Sequence, residues 1–459
     1  MKKKLLAILL SCAALVAACS SEGYDNFSFP ESTGKSTIAP IDQHKIETHY
    51  EDRGEVLPTV ATYTSEDGLC VIEDKDVYFD VTLDFKKGDH YAVGKAYGET
   101  ILKAMPDCAG ITESFLYENI EAFFTNPDDA FYKLLSLRAT VLFDSIPAEY
   151  QDEITGLAEQ LVSGEGFTKD GDLSYEEFLL MQFVPDAFRE TACSAVSLDG
   201  TRTTSGKRIT SRLLEWYTGT ESQIAKIHSV VHYKNADKSF TAVGSLGLMT
   251  TLTAINSSGV MIGMLDVGSV AEEYDIVDKT SYTFGMRYAI ENYSTAREVA
   301  EYLAKHAREY TYCTNILVTD EKEALCVELP VTETDGEPII RDKDTKLLDV
   351  LPNDCQDCIF IVNAYACDGH DDTVIRYASN IIRWERFNEW FAGDRVFSLG
   401  SFKEIMTSER YDEKLYQIGN NDIGFHLVIA DYGTRTLQAA FTKEGAKGDP
   451  PVFYEIGSF

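Results

Sequence analysis

Positive charge is the scarcest feature of this chain. Lys and Arg number 41 against 75 Asp and Glu, a formal net charge of −34. Proteins hold nucleic acid through lysines and arginines set against its phosphates, so a field of this sign excludes such a partner. The same charge favours solubility and a mild repulsion from anionic lipid. Also missing is an apolar run long enough to span a bilayer. The N-terminal run, Leu5 to Ala18, has fourteen residues and is broken by Ser11 and Cys12, against the ~20 that a spanning helix needs. Neither an internal repeat nor a low-complexity block is present. At 459 residues and 44% apolar, the chain can bury one large core or two to three smaller ones.

Metal templates are absent as well. Cys355-x-x-Cys358, with Cys367 and His370, has the ingredients of a zinc site but matches no zinc spacing. His228, His232, His306, His370 and His426 form no ligand pattern. Asp170-Gly171-Asp172 looks like the end of a calcium loop. Counting back from Glu177, however, puts Gly166 at the first ligand position, where an oxygen is required. Ser174 with Glu177 reads better as a capping box opening a helix. No metal and no cofactor are expected.

What is present begins at the N-terminus. Lys2, Lys3 and Lys4 precede the apolar run, which ends Val16-Ala17-Ala18-Cys19. This is a signal-peptide layout, and small residues before a Cys resemble the lipobox of bacterial lipoproteins. In that class Cys19 becomes the acylated first residue; the alternative is an ordinary signal cleaved before a free Cys. Loss of three lysines with the leader takes the charge from −34 to −37. The expectation is an exported body of the bacterial cell envelope, held at a membrane through lipid on Cys19.

The chain divides into residues 1–19 (leader and lipobox), 20–60 (a polar tether or lead-in with Pro30, Pro40 and Pro58), 61–192 (a helix-rich region) and 193–459 (a strand-rich core). Val71 to Phe85 alternates as one strand. Ile154, Leu157 and Leu161 make a one-face helical stripe. After Cys193, short apolar runs at 239–246, 248–256 and 260–267 predict strands. A helix follows, capped near Ser294 or Thr295. Hairpins are predicted over 314–329 and 426–441, a strand over 359–362 and a helix after Asp372. The fold class is α+β, in layers.

Ten cysteines are present. Without Cys12 and Cys19 eight remain, and an exported protein can form disulfides. Cys313 and Cys326 stand on either side of the turn of the 314–329 hairpin and are expected to be able to pair across it. For Cys355 and Cys358 a loop disulfide is preferred to a metal. Cys193 stands apart. It is followed after 19 positions by Arg212 and after 22 by Glu215, in Arg212-Leu213-Leu214-Glu215-Trp216. Other stretches keep a recognisable order with it: Tyr91 to Glu99 with Gly94 and Gly98, Tyr150 to Gly164, Asn256-Ser257-Ser258-Gly259-Val260, Val362-Asn363-Ala364-Tyr365, and Ile429 to Gly433.

Together these motifs, spread over roughly residues 90 to 441, resemble the linear-amide branch of the Ntn hydrolases. That branch holds the isopenicillin-N acyltransferase-like proteins, the choloylglycine hydrolases and the acid-ceramidase-type amidases. The resemblance implies a four-layer αββα core starting at Cys193, preceded by a helix-rich segment freed when Ala192–Cys193 breaks. It implies a thiol nucleophile on Cys193, lowered in pKa by Arg212. The new α-amine of Cys193 would be the base, oriented by Glu215, and Asn363 would donate to the oxyanion. A later arginine of the family falls on Arg376 or Arg383, of which Arg376 is preferred. The implied substrate is a small acyl amide, with hydrolysis through a thioester. Acyl transfer, or an inactive surface-binding lipoprotein of the same fold, are the alternatives. The chain departs from the family where its motif has Asp and Asn, here Glu215 and Leu213. It departs again at Asp266, where a second oxyanion Asn stands in choloylglycine hydrolases; a charged Asp there would repel an oxyanion, so it is either protonated or unused. No oligomeric state is implied.

Overall fold

The structure is a computed structural model that describes residues 50–124, 126–187, 191–235, 238–267, 278–333, 336–370, 378–407, 424–442 and 451–459. Two sheets form its centre. The larger has ten strands in the order β1-β2-β3-β6-β7-β8-β9-β10-β11-β12. These are β1 (Ala61–Thr64), β2 (Cys70–Asp74), β3 (Phe79–Leu83), β6 (His228–Tyr233), β7 (Phe240–Ser245), β8 (Thr253–Asn256), β9 (Met261–Asp266), β10 (Thr314–Thr319), β11 (Ala324–Leu329) and β12 (Ile339–Arg341). The smaller runs β13-β4-β5-β14-β15-β16: β4 (Thr191–Leu198), β5 (Ile209–Trp216), β13 (Cys358–Ile361), β14 (Gly424–Asp431), β15 (Thr436–Phe441) and β16 (Tyr454–Ser458).

The sheets face each other and are tied by polar contacts across the gap. His426 Nε2 lies 3.0 Å from Thr253 Oγ1, and Thr319 Oγ1 lies 3.0 Å from the Tyr432 hydroxyl. Helices cover both outer faces. On the ten-stranded side α1 (His90–Ala104) lies on β1 and β2, with α4 (Ala148–Leu161) packed on α1; α7 (Tyr282–Asn292) and α8 (Ala296–Lys305) cover β8 to β11. On the six-stranded side α9 (Ala378–Phe391) packs on β13. The remaining helices are α2 (Cys108–Phe123), α3 (Asp129–Ser145), α5 (Tyr175–Gln182), α6 (Val184–Ala187) and α10 (Leu399–Thr407). The expected four-layer αββα arrangement is therefore the observed one.

Local chemistry accounts for several elements. The expected Ser174–Glu177 capping box forms and opens α5; the helix expected near Ser294 or Thr295 starts at Thr295, which forms a second box with Glu298 and opens α8. Gly94 and Gly156 let α1 and α4 touch along their backbones. A Cβ on Gly94 would stand 2.1 Å from the Glu153 carbonyl oxygen, and one on Gly156 2.3 Å from that of Tyr91. The stripe of Ile154, Leu157 and Leu161 is buried in this contact.

Three expectations change. Val71–Phe85 is not one strand but a hairpin, β2 and β3, because Asp76 takes a left-handed backbone (φ 69°) and turns the chain. The helix-rich segment also supplies strands to the core: β3 pairs in parallel with β6, adding β1–β3 to the larger sheet. Cys313 and Cys326 are not joined. Cys326 faces Leu317 in the β10–β11 register, and Cys313 lies four residues further back, roughly 13 Å along the strand. Cys355 and Cys358 do form a disulfide. The end of the lead-in is docked rather than loose. Lys403 Nζ donates to the carbonyls of Glu51 (2.8 Å) and Asp52 (3.1 Å), and Gly400 N donates to the Asp52 carboxylate at 2.7 Å. Cys19 lies outside the described residues, and no helix among those described is long and apolar enough to cross a membrane.

Candidate active site

β4 and β5 are central strands with sheet on both sides, and polar residues at such positions call for a reason. In their register Cys193 faces Leu214 and Ala195 faces Arg212. Strand alternation puts Cys193 and Arg212 on the same face, one diagonal step apart, in the gap between the sheets. Both are fully buried. Arg212 Nη2 donates to Cys193 Sγ at 3.5 Å and to the Met264 carbonyl of β9 at 2.6 Å. Its stem crosses Gly263, where a Cβ would meet Arg212 Cγ at 2.7 Å; glycine there makes the passage possible. Burial pulls the guanidinium below its ordinary pKa, while Cys193, Asp266, Tyr282 and Glu215 act the other way. Nε and Nη1 of Arg212 are buried with no hydrogen-bond partner among the described residues. A fixed cation with two unpartnered nitrogens beside a thiol can hold a thiolate or receive an incoming oxygen.

Glu215 is three residues beyond Arg212 and so points to the other face of β5, where its cross-strand neighbour is Ala192. Burial pushes its carboxyl up to about 7, against the pull of Arg383 and Arg212. Near neutrality it can therefore give or take a proton beside the Ala192–Cys193 bond.

Asn363 follows β13 and bridges the sheets at this point. Its Oδ1 accepts from the Cys193 N–H at 2.7 Å and from Arg383 Nη1 at 3.0 Å, while its Nδ2 donates to the Asp266 carbonyl at 2.7 Å. With donors on one end and a carbonyl at the other, the amide has one orientation. The expected oxyanion donor is thus turned away from that task in the uncut chain: Asn363 accepts from the nitrogen that cleavage would turn into an amine. Asp266 is neither idle nor isolated. Its carboxylate accepts from the Tyr282 hydroxyl at 3.2 Å and adds to the negative field that helps Arg212 keep its proton.

Arg376 lies outside the described residues. Arg383, the other choice, reaches the site from α9. Its Nη1 donates to the Cys193 carbonyl and to Ser194 Oγ (3.1 Å), and its Nη2 donates to Asn380 Oδ1 (2.6 Å). Asn380 in turn donates to the Asn363 carbonyl at 3.1 Å. Sequence reading passed over Ser194, Asn380 and Tyr282. The spacing Asn380-x-x-Arg383 is the one usable signal, since residues three apart share a helix face.

The described residues thus place the Cys193 thiol near the start of a central strand of a four-layer αββα core. No family model matches the chain, and no curated protein matches it. Among solved structures, an N-acylethanolamine-hydrolyzing acid amidase ortholog from Caenorhabditis elegans is similar at 13% identity and a TM-score of 0.37, over 52% of this chain and 92% of its own. Penicillin V acylase from Agrobacterium tumefaciens is similar at 11% identity and 0.35, over 57% and 85%. A mutant of conjugated bile acid hydrolase from Clostridium perfringens is similar at 12% and 0.34, over 57% and 96%.

Proposed function

We propose that this chain is a cysteine amidase that first cuts itself between Ala192 and Cys193 and then hydrolyses linear acyl amides. One observation carries the reading: both reactive atoms of Cys193 are held. The thiol lies 3.5 Å from a buried guanidinium, and the backbone nitrogen donates at 2.7 Å to the Asn363 amide oxygen, which Arg383 also holds. In the self-cleavage, Sγ attacks the Ala192 carbonyl carbon, the C–N bond to Cys193 breaks, and the thiol proton ends on the Cys193 nitrogen. Water then splits the thioester, leaving an Ala192 carboxylate, a free thiol and an α-amine.

In turnover that amine, whose unperturbed pKa is ~7.7–8.0, takes the thiol proton. Sγ attacks the substrate carbonyl, the substrate's amine leaves with the proton, and water releases the acid from the thioester. Arg212 stabilises the thiolate, Glu215 and Asn363 face the amine, and Arg383 fixes Asn363 and the Cys193 carbonyl. We further propose that lipid on Cys19 holds the enzyme at a membrane of the bacterial envelope.

The test is to trap the acyl-enzyme. Mixed with medium-chain acyl amides of aminomethylcoumarin and quenched in acid, the cut protein is expected to gain one acyl mass on the peptide that starts at Cys193. Added hydroxylamine should discharge it, and an amine acceptor that collects the acyl group would assign transfer over hydrolysis. Coumarin release without acylation of Cys193 would contradict the reading.

A further inference from the structure

The segment before the proposed cut is anchored more firmly than a loop would require. Asp186, in α6, is fully buried, and its carboxylate accepts four hydrogen bonds. Ser281 Oγ donates at 2.6 Å, Thr283 Oγ1 at 2.8 Å, Thr311 Oγ1 at 2.9 Å and the Tyr282 N–H at 2.9 Å. These four donors all belong to the chain that follows Cys193. The neighbours of Asp186 are held too. The one hydroxyl hydrogen of Tyr282 is shared between the Pro185 carbonyl (3.3 Å) and Asp266 (3.2 Å), and the Ala187 carbonyl accepts from Arg138 (2.7 Å) and Tyr312 (3.3 Å). Taking a carboxylate fully out of water is unfavourable, and this many donors can offset it; a surface residue would do if the segment needed only to be connected.

Only five residues separate Ala187 from Cys193, with a reach of at most about 3.3–3.6 Å each. Downstream, Asn363 and Arg383 fix Cys193. Upstream, Asp186 fixes the other end. The two anchors also meet: Tyr282 touches Pro185 and Asp266, Asp266 holds Asn363, and Asn363 holds the Cys193 N–H.

We infer that Asp186 is a positioning residue for self-cleavage, holding the scissile carbonyl against the thiol, with no part in later turnover. This rests on the proposed self-cleavage. Once the bond is cut, the thiol no longer depends on what holds Ala192, so the two activities separate.

The experiment follows cutting by gel during pulse-labelled cell-free synthesis of the full chain. Asp186→Ala is expected to slow the cut by roughly a hundredfold, the scale of a small misplacement of reacting atoms. Thr311→Val, which removes one charge-assisted hydrogen bond, should slow it by about tenfold. The cut fraction of Thr311→Val should hydrolyse aminomethylcoumarin acyl amides with wild-type kcat and KM. Unfolding curves of both variants in a Cys193→Ala background check the fold; if Asp186→Ala fails to fold, Thr311→Val and Ser281→Ala decide. Cutting at the wild-type rate in the folded variants, or a kcat that falls along with it, overturns the inference. A wild-type chain that never cuts overturns the proposed function as well, and so is told apart from failure of the inference alone.

Discussion

Replacing Arg212 with Met is expected to lower the alkylation rate of Cys193 by iodoacetamide about a hundredfold near neutrality, and by progressively less as pH rises. The reason is the single hydrogen bond from Arg212 Nη2 to Sγ inside a gap closed to water. A thiolate there depends on a fixed cation, and a nearby charge of opposite sign changes the ionised fraction by one to three powers of ten. Met keeps most of the buried stem that crosses Gly263, so the loss is one of charge rather than of packing. The convergence at high pH separates the two, because a thiol that ionises unaided regains its rate while a misfolded site does not. Other cysteines do not confuse the reading: burial pushes Cys70, Cys108 and Cys326 up to about 12. The rate is read by mass on the Cys193 peptide of the cut fraction. Equal rates in both proteins near neutrality would remove Arg212 from the mechanism.

A second large effect is expected at Glu153. This carboxylate is buried on α4, in the segment before the proposed cut, and meets the buried guanidinium of Arg287 on α7. Arg287 Nη1 lies 2.6 Å from Oε2 and Nη2 2.7 Å from Oε1. Glu291 takes the remaining edge of Arg287 at 3.1 Å, and His90 Nδ1 lies 2.6 Å from Glu153 Oε1. Burial would strip Arg287 of its proton more readily, but Glu153 and Glu291 outweigh it and hold the charge. Glu153→Ala leaves that charge without its main partner and should destabilise the protein by about 3–5 kcal/mol. The double change Glu153→Leu with Arg287→Met should recover only part of the loss, because it replaces the buried pair by apolar groups but leaves the Glu291 carboxylate without its guanidinium. Urea unfolding of the three proteins decides it, and an unchanged midpoint in Glu153→Ala would refute the assignment. The same cluster, with β3 paired to β6, leads to the expectation that the two pieces stay together after cutting.

Much of this was legible because it is local. The 314–329 and 426–441 hairpins show as alternating runs around polar turns, and both are found in register. The Ser174–Glu177 capping box is a four-residue signal, and the cap at Thr295 is likewise local. Non-local features were not legible. The parallel junction of β3 with β6 joins positions some 150 residues apart, and nothing in the Val71–Phe85 alternation marks the turn at Asp76. At the site, the pairing of Cys193 with Arg212 was anticipated, but the separation of Arg212 and Glu215 onto opposite faces became visible only once β5 was known to be a strand. Arg383 depends on how α9 lies against β13. Asp186 depends on hydroxyls at 281, 283 and 311, which no spacing rule connects to it.

The most direct measurement is the intact mass of the chain made from Ser20 onward, beside its Cys193→Ala variant. Two fragments in the wild type, the second beginning at Cys193, with a single chain in the variant, are the predicted result. A single chain in both, or a break at any other bond, would contradict Cys193 as a self-exposed nucleophile.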